Sequence, residues 1–126
     1  MSQEHVVALS ENDFTATATV VDGRLLVNLR GTADLTVKPQ LDRFLAELHA
    51  EADHRKIEEV SVDVRQLEFM NSSCLKSFVW WISTVQERVG TARYRIIFVS
   101  SPTVYWQRRS LNALACLASD IISIQS

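Results

Sequence analysis

The sequence has few of the residues that mark disulfide-stabilised or linker-rich proteins. Its 126 residues include two cysteines, three glycines and two prolines. Cys74 and Cys116 lie far apart in predicted helices, and we expect reduced thiols because an intracellular chain of this size needs no disulfide. The scarcity of glycine and proline argues against long flexible linkers. We therefore expect one domain over residues 1–126, in which 1–12 form a short first strand or a flexible lead-in.

Long apolar runs and an excess of basic charge are also missing. No run approaches the ~18 residues needed to span a bilayer, and the N-terminus lacks the basic-then-apolar pattern of a signal peptide. These absences predict a cytoplasmic protein without a membrane partner. The net charge of −2 argues against a nucleic-acid partner. No two Cys or His residues show metal-ligand spacing, so we expect neither a metal nor another cofactor.

The apolar residues that are present, 47 % of the chain, suffice for a core. Alternation over Phe14–Val20 predicts a half-buried strand, and Asp22-Gly23 predicts a hairpin turn to a returning strand over Arg24–Leu29. Pro39 fits the first turn of a helix. The apolar residues of this helix recur at helical spacing: Leu41, Phe44, Leu45, Leu48 and Ala52.

The second half of the chain repeats a strand–helix pattern. Val60–Val64 alternates as a strand, and a helix follows Asn71 and is predicted to end at Gly90. Tyr94–Val99 is the most continuously apolar of the predicted strands and precedes another helix. Ile121–Ile124 is interpreted as a last short strand or an extended tail.

This order of elements predicts an α/β fold. Strand–helix–strand units imply right-handed crossovers between parallel strands, and the hairpin adds an antiparallel pair. Because the strands alternate between apolar and polar residues, one face of the sheet should be covered. We expect a mixed sheet of four to five strands with the helices mainly on one face.

Two serines at the start of a predicted helix are the most informative feature. Ser72 and Ser73 directly follow Asn71 and the strand that begins at Val60. Main-chain N–H groups and the helix dipole favour negative charge at such a position. A phosphate there would be stabilised and would still reverse the local charge. The simpler interpretation is that the serines only cap the helix.

Three segments follow one another in this region: Val62-Asp63-Val64, Leu67-Glu68-Phe69-Met70 and Asn71-Ser72-Ser73-Cys74-Leu75. They resemble the STAS domain of bacterial anti-sigma factor antagonists. In that family an apolar strand ends in Asp, an apolar stretch follows, and Asp-Ser-Ser/Thr-Gly-Leu opens a helix. The resemblance extends over roughly Phe14–Ile124 and implies a STAS-like single domain.

The resemblance also implies a function in signal transduction and transcription regulation. Ser72 corresponds to the serine that a partner kinase, itself an anti-sigma factor, phosphorylates, and Ser73 is the second candidate acceptor. The unphosphorylated domain would bind the kinase and the phosphorylated domain would release it; a phosphatase-like regulator is the other expected partner. The domain would be a substrate and a ligand, not an enzyme.

Two departures from the family pattern mark a divergent member. Asn71 replaces the motif Asp, which removes a carboxylate, although Asn still caps helices well. Cys74 replaces the motif Gly and is expected to add bulk where a kinase would dock. The predicted partner-binding loop consists of Asn71, Ser72, Ser73, Cys74 and Lys76.

Two adjacent tryptophans follow on the same helix. Trp81 is expected to flank the core, whereas Trp80 should point outward and serve as a partner anchor, since Trp is enriched at binding hot spots. The alternative function is an unphosphorylated scaffold or a homo-oligomerisation module, for example a homodimer, that uses this helix as its contact.

Other chemistry receives less support. A first-turn position would lower the pKa of Cys74, but no histidine is predicted near it, and His49 and His54 should be solvated. A small thiol enzyme is therefore the weakest hypothesis. Arg108 and Arg109 beside Trp106 would suit a phosphate or RNA, but solvation or pairing with Asp and Glu is favoured in an acidic chain.

Overall fold

Three α-helices and a six-stranded mixed sheet make up residues 5–11, 13–88 and 93–126, the part of the chain that the computed structural model describes. The strands are β1 His5–Glu11, β2 Phe14–Val21, β3 Arg24–Ala33, β4 Glu59–Met70, β5 Arg95–Val99 and β6 Ile122–Gln125. The helices are α1 Lys38–His54, α2 Ser72–Gln86 and α3 Tyr105–Leu117, with a short 3-10 helix at Leu35–Val37. Gly90, the predicted end of α2, lies outside the described residues.

The strands are arranged in the sheet in the same order as in the chain. The pairs β1/β2 and β2/β3 are antiparallel, whereas β3/β4, β4/β5 and β5/β6 are parallel. The predicted α/β class and mixed sheet are confirmed. The predicted count of four to five strands is wrong, because β1 pairs along β2 and β6 pairs with β5. Pairing with a neighbouring strand is what makes both edge segments strands.

One face of the sheet carries the core. The inward residues of β2, β3, β4 and β5 are buried and apolar, and the buried side chains of the helices join them in one cluster. The opposite face has short polar side chains at Thr15, Thr17, Asn28, Ser61 and Asp63, which are half-buried or exposed. The predicted one-sided arrangement of the helices is thus confirmed. No helix in the described ranges is long and apolar enough to cross a membrane.

The turn between β2 and β3 follows from its two residues. Asp22 and Gly23 have φ of 51° and 77°, as a two-residue hairpin turn requires. The strand after this turn is longer than predicted and continues through Ala33. It does so because Gly31 adopts a φ of 93°, which lets the strand bend without losing its partners.

The central strand β4 is longer than its neighbour β5. It pairs with β5 only as far as Asp63↔Val99, but it continues along β3 to Ala33↔Met70. On the side that β5 leaves free, Trp106 Nε1 donates to the carbonyl oxygen of Leu67 at 3.0 Å. This overhanging part of β4 leads directly into α2 and fixes where the candidate site lies.

Candidate functional site

The loop before α2 is held at the end of the β3/β4 pair. The main-chain N–H of Asn71 donates to the carbonyl oxygen of Ala33 at 2.8 Å. Helix α2 begins at the next residue, Ser72. The start of the helix therefore has a fixed position relative to the carboxyl ends of both strands.

Asn71 is the N-cap of α2. Its Oδ1 accepts a hydrogen bond from the main-chain N–H of Ser73 at 2.7 Å, so the predicted capping by Asn71 is confirmed. Ser72 and Ser73 are the first two helical residues, and the interpretation that they cap the helix is wrong. Ser72 is exposed and Ser73 is half-buried. Among residues 5–11, 13–88 and 93–126, neither hydroxyl forms a hydrogen bond, and the Ser72 hydroxyl is accessible because this residue is exposed.

Cys74 points into the core. Its side chain is 0 % exposed, and Sγ donates to the carbonyl oxygen of Asp34 at 3.3 Å. Burial raises the pKa of the Cys74 thiol, the opposite of the lowering expected at a helix N-terminus. Its side chain consequently adds no bulk to the surface, contrary to the expectation for this position. Its hydrogen bond instead connects α2 to the segment that precedes the 3-10 helix.

A polar network that the sequence did not reveal joins α1 to α2. Lys38 Nζ donates to both carboxylate oxygens of Asp42, at 3.2 and 3.0 Å, and to Ser77 Oγ at 3.1 Å. Ser77, which is buried, donates to Asp42 Oδ1. In the sequence, only the i,i+4 spacing of Lys38 and Asp42 could have indicated a part of this network. The network borders a groove of about 390 Å³ that is also lined by Lys76 and Trp80.

Exposed apolar side chains lie in the segments around Ser72. Leu35 in the 3-10 helix is 60 % exposed, and Phe69, paired with Thr32 at the end of β4, is 48 % exposed. Trp80 is 48 % exposed and Trp81 is fully buried, as predicted for their orientations. We name the Ser72 surface by its members: Leu35, Phe69, Asn71, Ser72, Lys76 and Trp80.

The surroundings of the Ser72 hydroxyl contain no activating group among the described residues. No side chain of the described residues hydrogen-bonds its hydroxyl, so nothing there withdraws its proton. Asp34, whose carbonyl oxygen accepts from Cys74, has its carboxylate engaged by Thr36, whose hydrogen bonds lower the pKa of Asp34. The described residues contain no group of three or more His, Cys, Asp or Glu that could hold a metal ion.

The histidines lie elsewhere. His54 is exposed, as predicted, but the expectation of a solvated His49 is wrong. His49 is half-buried, and its Nδ1 is 2.8 Å from the hydroxyl of Tyr94. Burial, followed by the nearby Arg88, lowers the pKa of His49. The structure therefore does not bring a histidine into hydrogen-bonding contact with Cys74.

Arg108 and Arg109 are exposed on α3. Among the described residues neither forms an ion pair, so solvation is confirmed and pairing with Asp or Glu is not. Trp106 is half-buried and fixed by its bond to Leu67. This group lies on a different helix from Ser72.

Comparison with known proteins supports the fold. No protein-family model and no curated protein sequence matches the chain. A solved structure that does match is an anti-sigma factor antagonist from Mycobacterium paratuberculosis, with a TM-score of 0.66 and 19% identity. The match covers 93% of this chain and 90% of that chain. The chain thus has the STAS fold that its sequence resembles, and its low identity fits a divergent form.

Proposed function

We propose that this chain is a non-enzymatic regulatory module that binds a partner protein through the Ser72 surface and is switched by phosphorylation of Ser72. The observation that carries the proposal is the geometry of the first turn of α2. There the Ser73 N–H and the Cys74 thiol are both engaged in hydrogen bonds, whereas the Ser72 side chain is exposed. A kinase would find one accessible hydroxyl on a rigid helix start.

The fold and the Ser72 surface support a class of partner. The matching solved structure is an anti-sigma factor antagonist, which supports a protein kinase that is also an anti-sigma factor, or a phosphatase-like regulator, as the partner here. The exposed Leu35, Phe69 and Trp80 supply apolar contacts of the kind that stabilise protein interfaces. Lys76 adds a positive charge one turn beyond Ser72.

Phosphorylation would act as a release signal. A phosphoserine carries about −1.5 to −2 charges at neutral pH, and these charges must be desolvated in a close-packed interface. Within the domain the same phosphate would be tolerated, because the start of α2 and Lys76 are electropositive. The phosphorylated domain would therefore stay folded but lose its partner. Ser73 is the second candidate acceptor, and its half-buried position makes it the less accessible one.

Phosphosite mapping of the protein purified from its native host tests the acceptor directly. A pull-down from the same host with the parent protein should capture the partner. That partner should bind Ser72→Ala but not Ser72→Asp. Ser83→Asp is the matched control, because Ser83 is also exposed on α2 but lies far from its start. If neither Ser72 nor Ser73 is ever modified and Ser72→Asp binds normally, the switch is refuted.

A second candidate function is an unphosphorylated scaffold or homo-oligomer. Trp80 favours it, because this half-exposed indole borders the groove between α1 and α2. In that case Trp80→Ala should reduce the mass measured by light scattering to that of a monomer, whereas Ser72→Ala should not. Leu117→Ala is the control, since Leu117 is 50 % exposed on α3.

A further inference from the structure

The outer face of α3 carries a cluster that the Ser72 surface does not use. Tyr105 is 97 % exposed, and Arg108, Arg109 and Asn112 are exposed three, four and seven residues later. Residues at this spacing share one face of a helix. With Trp106 and Ser110 they line an open cleft of about 810 Å³. We name these six residues the α3 surface.

Hydrogen bonds hold Trp106 and the first turn of α3 in place. The indole N–H of Trp106 donates to the carbonyl oxygen of Leu67 at 3.0 Å, and Gln107 Nε2 donates to the same oxygen at 3.1 Å. Gln107 Oε1 accepts from the main-chain N–H of Ser101 at 2.8 Å. The first turn of α3 is thereby anchored to β4 and to the loop that precedes α3. A preorganised surface loses little conformational entropy when a partner binds.

The charge of the surface is positive and unneutralised. Helix α3 contains no Asp or Glu. Within the described ranges Arg108 and Arg109 form no ion pair, whereas Arg65, for example, bonds Asp63 through two nitrogens. The chain as a whole has a net charge of −2. A local excess of arginine in an acidic protein attracts a negatively charged partner.

The residue types indicate a protein partner. Tyr, Trp and Arg are the side chains most enriched at the energetic centres of protein interfaces. A nucleic-acid partner would need a wider basic surface, since its affinity comes from many phosphate contacts. Two arginines on one helix of an acidic chain do not provide that surface.

We propose that the α3 surface binds an acidic segment of a partner protein. Carboxylates of the segment would pair with Arg108 and Arg109, and an apolar side chain would pack against Tyr105 and Trp106. Helices α2 and α3 both begin beyond the carboxyl ends of parallel strands. The Ser72 surface and the α3 surface therefore begin at the same edge of the sheet. The contact does not require Ser72 or its phosphorylation.

Titration of the whole domain with a synthetic peptide tests the proposal. The peptide carries several glutamates and one phenylalanine, and its matched control replaces every glutamate with glutamine. We expect backbone NMR shifts centred on the α3 surface with the glutamate peptide only. Arg108→Glu with Arg109→Glu should weaken binding about tenfold, because two exposed ion pairs are lost. Tyr105→Ala should weaken it without changing the melting temperature, since this ring is almost fully exposed.

A matched double variant keeps the result interpretable. Arg43→Glu with Arg95→Glu changes the net charge equally at exposed positions away from α3 and should bind as the parent does. Equal binding of the two peptides, or equal losses in the two double variants, would overturn the proposal. Tighter binding of a single-stranded RNA at the same residues would also overturn it. Ser72→Ala should leave the peptide affinity unchanged, which separates this test from that of the switch.

Discussion

The side chain of Gln107 takes the place of a strand partner for Val64. Its Nε2 donates to the Val64 carbonyl oxygen at 2.5 Å and to the Leu67 carbonyl oxygen at 3.1 Å. Val64 is the residue just beyond Asp63, where β4 loses β5 as its neighbour. A buried amide on α3 thus compensates for the end of the sheet ladder and holds the segment that leads to Ser72.

Gln107→Leu should destabilise the fold by about 3 kcal/mol, because it leaves the buried Val64 carbonyl and the part-buried Ser101 N–H without partners. Urea unfolding measures the change. Asn112→Ala on the exposed side of the same helix should change the free energy of unfolding by less than about 0.5 kcal/mol. Equal effects of the two substitutions would contradict the role of Gln107.

Substitutions of Asn71, the N-cap of α2, should affect the stability of the fold and the phosphorylation of Ser72 in different ways. Asn71→Ala removes the acceptor for the Ser73 N–H and should cost about 1 kcal/mol. Asn71→Asp keeps that acceptor, adds a favourable charge at the helix start and restores the motif carboxylate. We expect unchanged or slightly higher stability and more phosphate at Ser72.

Urea unfolding and phosphosite mapping in the native host provide the two readouts for Asn71. Asn28→Ala, on the open face of the sheet, should alter neither. Phosphate incorporation in Asn71→Asp that is equal to or lower than in the parent would show that the carboxylate does not assist the acceptor.

The two thiols should differ in reactivity at neutral pH. Cys74 is buried, and burial raises its pKa, whereas Cys116 is exposed. Alkylation of the native protein should modify Cys116 quickly and Cys74 at least about a hundredfold more slowly, because access to Cys74 requires opening of the fold. Mass spectrometry of the labelled peptides measures both rates in one sample. Fast labelling of Cys74 would instead support the thiol-enzyme hypothesis.

His49 should make stability depend on pH. Arg88 Nη2 donates to His49 Nε2 at 3.1 Å, so the ring proton lies on Nδ1 and is donated to Tyr94 Oη. Tyr94 Oη also accepts from Trp81 Nε1 at 2.7 Å, and Arg88 pairs with Asp53. A second proton on His49 would face the Arg88 donor. This geometry agrees with the lowered pKa of His49.

The sign of the pH dependence follows from that lowering. In the unfolded chain the pKa of His49 is about 6.5. Below that pH the unfolded chain binds a proton at His49 that the folded chain does not bind. Stability should therefore be greatest above this pH and fall on acidification towards the folded pKa. Urea unfolding across this range measures the slope, and His49→Asn should flatten it. An identical slope in His49→Asn would assign the pH dependence to other groups.

Much of the fold could be predicted from local patterns. The alternation in Phe14–Val20, the turn at Asp22-Gly23 and the apolar stripe of α1 each have one structural solution, and each is observed. The sequence did not decide whether the segments of β1 and β6 form strands, because short segments become strands only through pairing with their neighbours. The end of β3 was missed because Gly31 bends the strand without ending it.

The site was predictable in position but not in detail. The sequence placed Asn71 at the start of α2 and oriented Trp80 outward, both from local spacing. The inward direction of Cys74 depends on the carbonyl of Asp34, forty residues earlier, and the link from Lys38 to Ser77 joins two helices. Contacts of this kind have no signal in a single sequence.

The agreement between strand order and chain order has a consequence for how the protein folds. Each strand pairs with the strand before it in the sequence, so no pairing skips an intervening strand, but parallel partners such as Arg24 and Glu59 still lie far apart in the chain. Pairings between residues close in sequence form faster than those between distant residues, and the antiparallel pairs β1/β2 and β2/β3 are the local ones here. We therefore expect the sheet to grow from the β2/β3 hairpin in both directions, so that β4 is in place before α3 packs against its overhanging end.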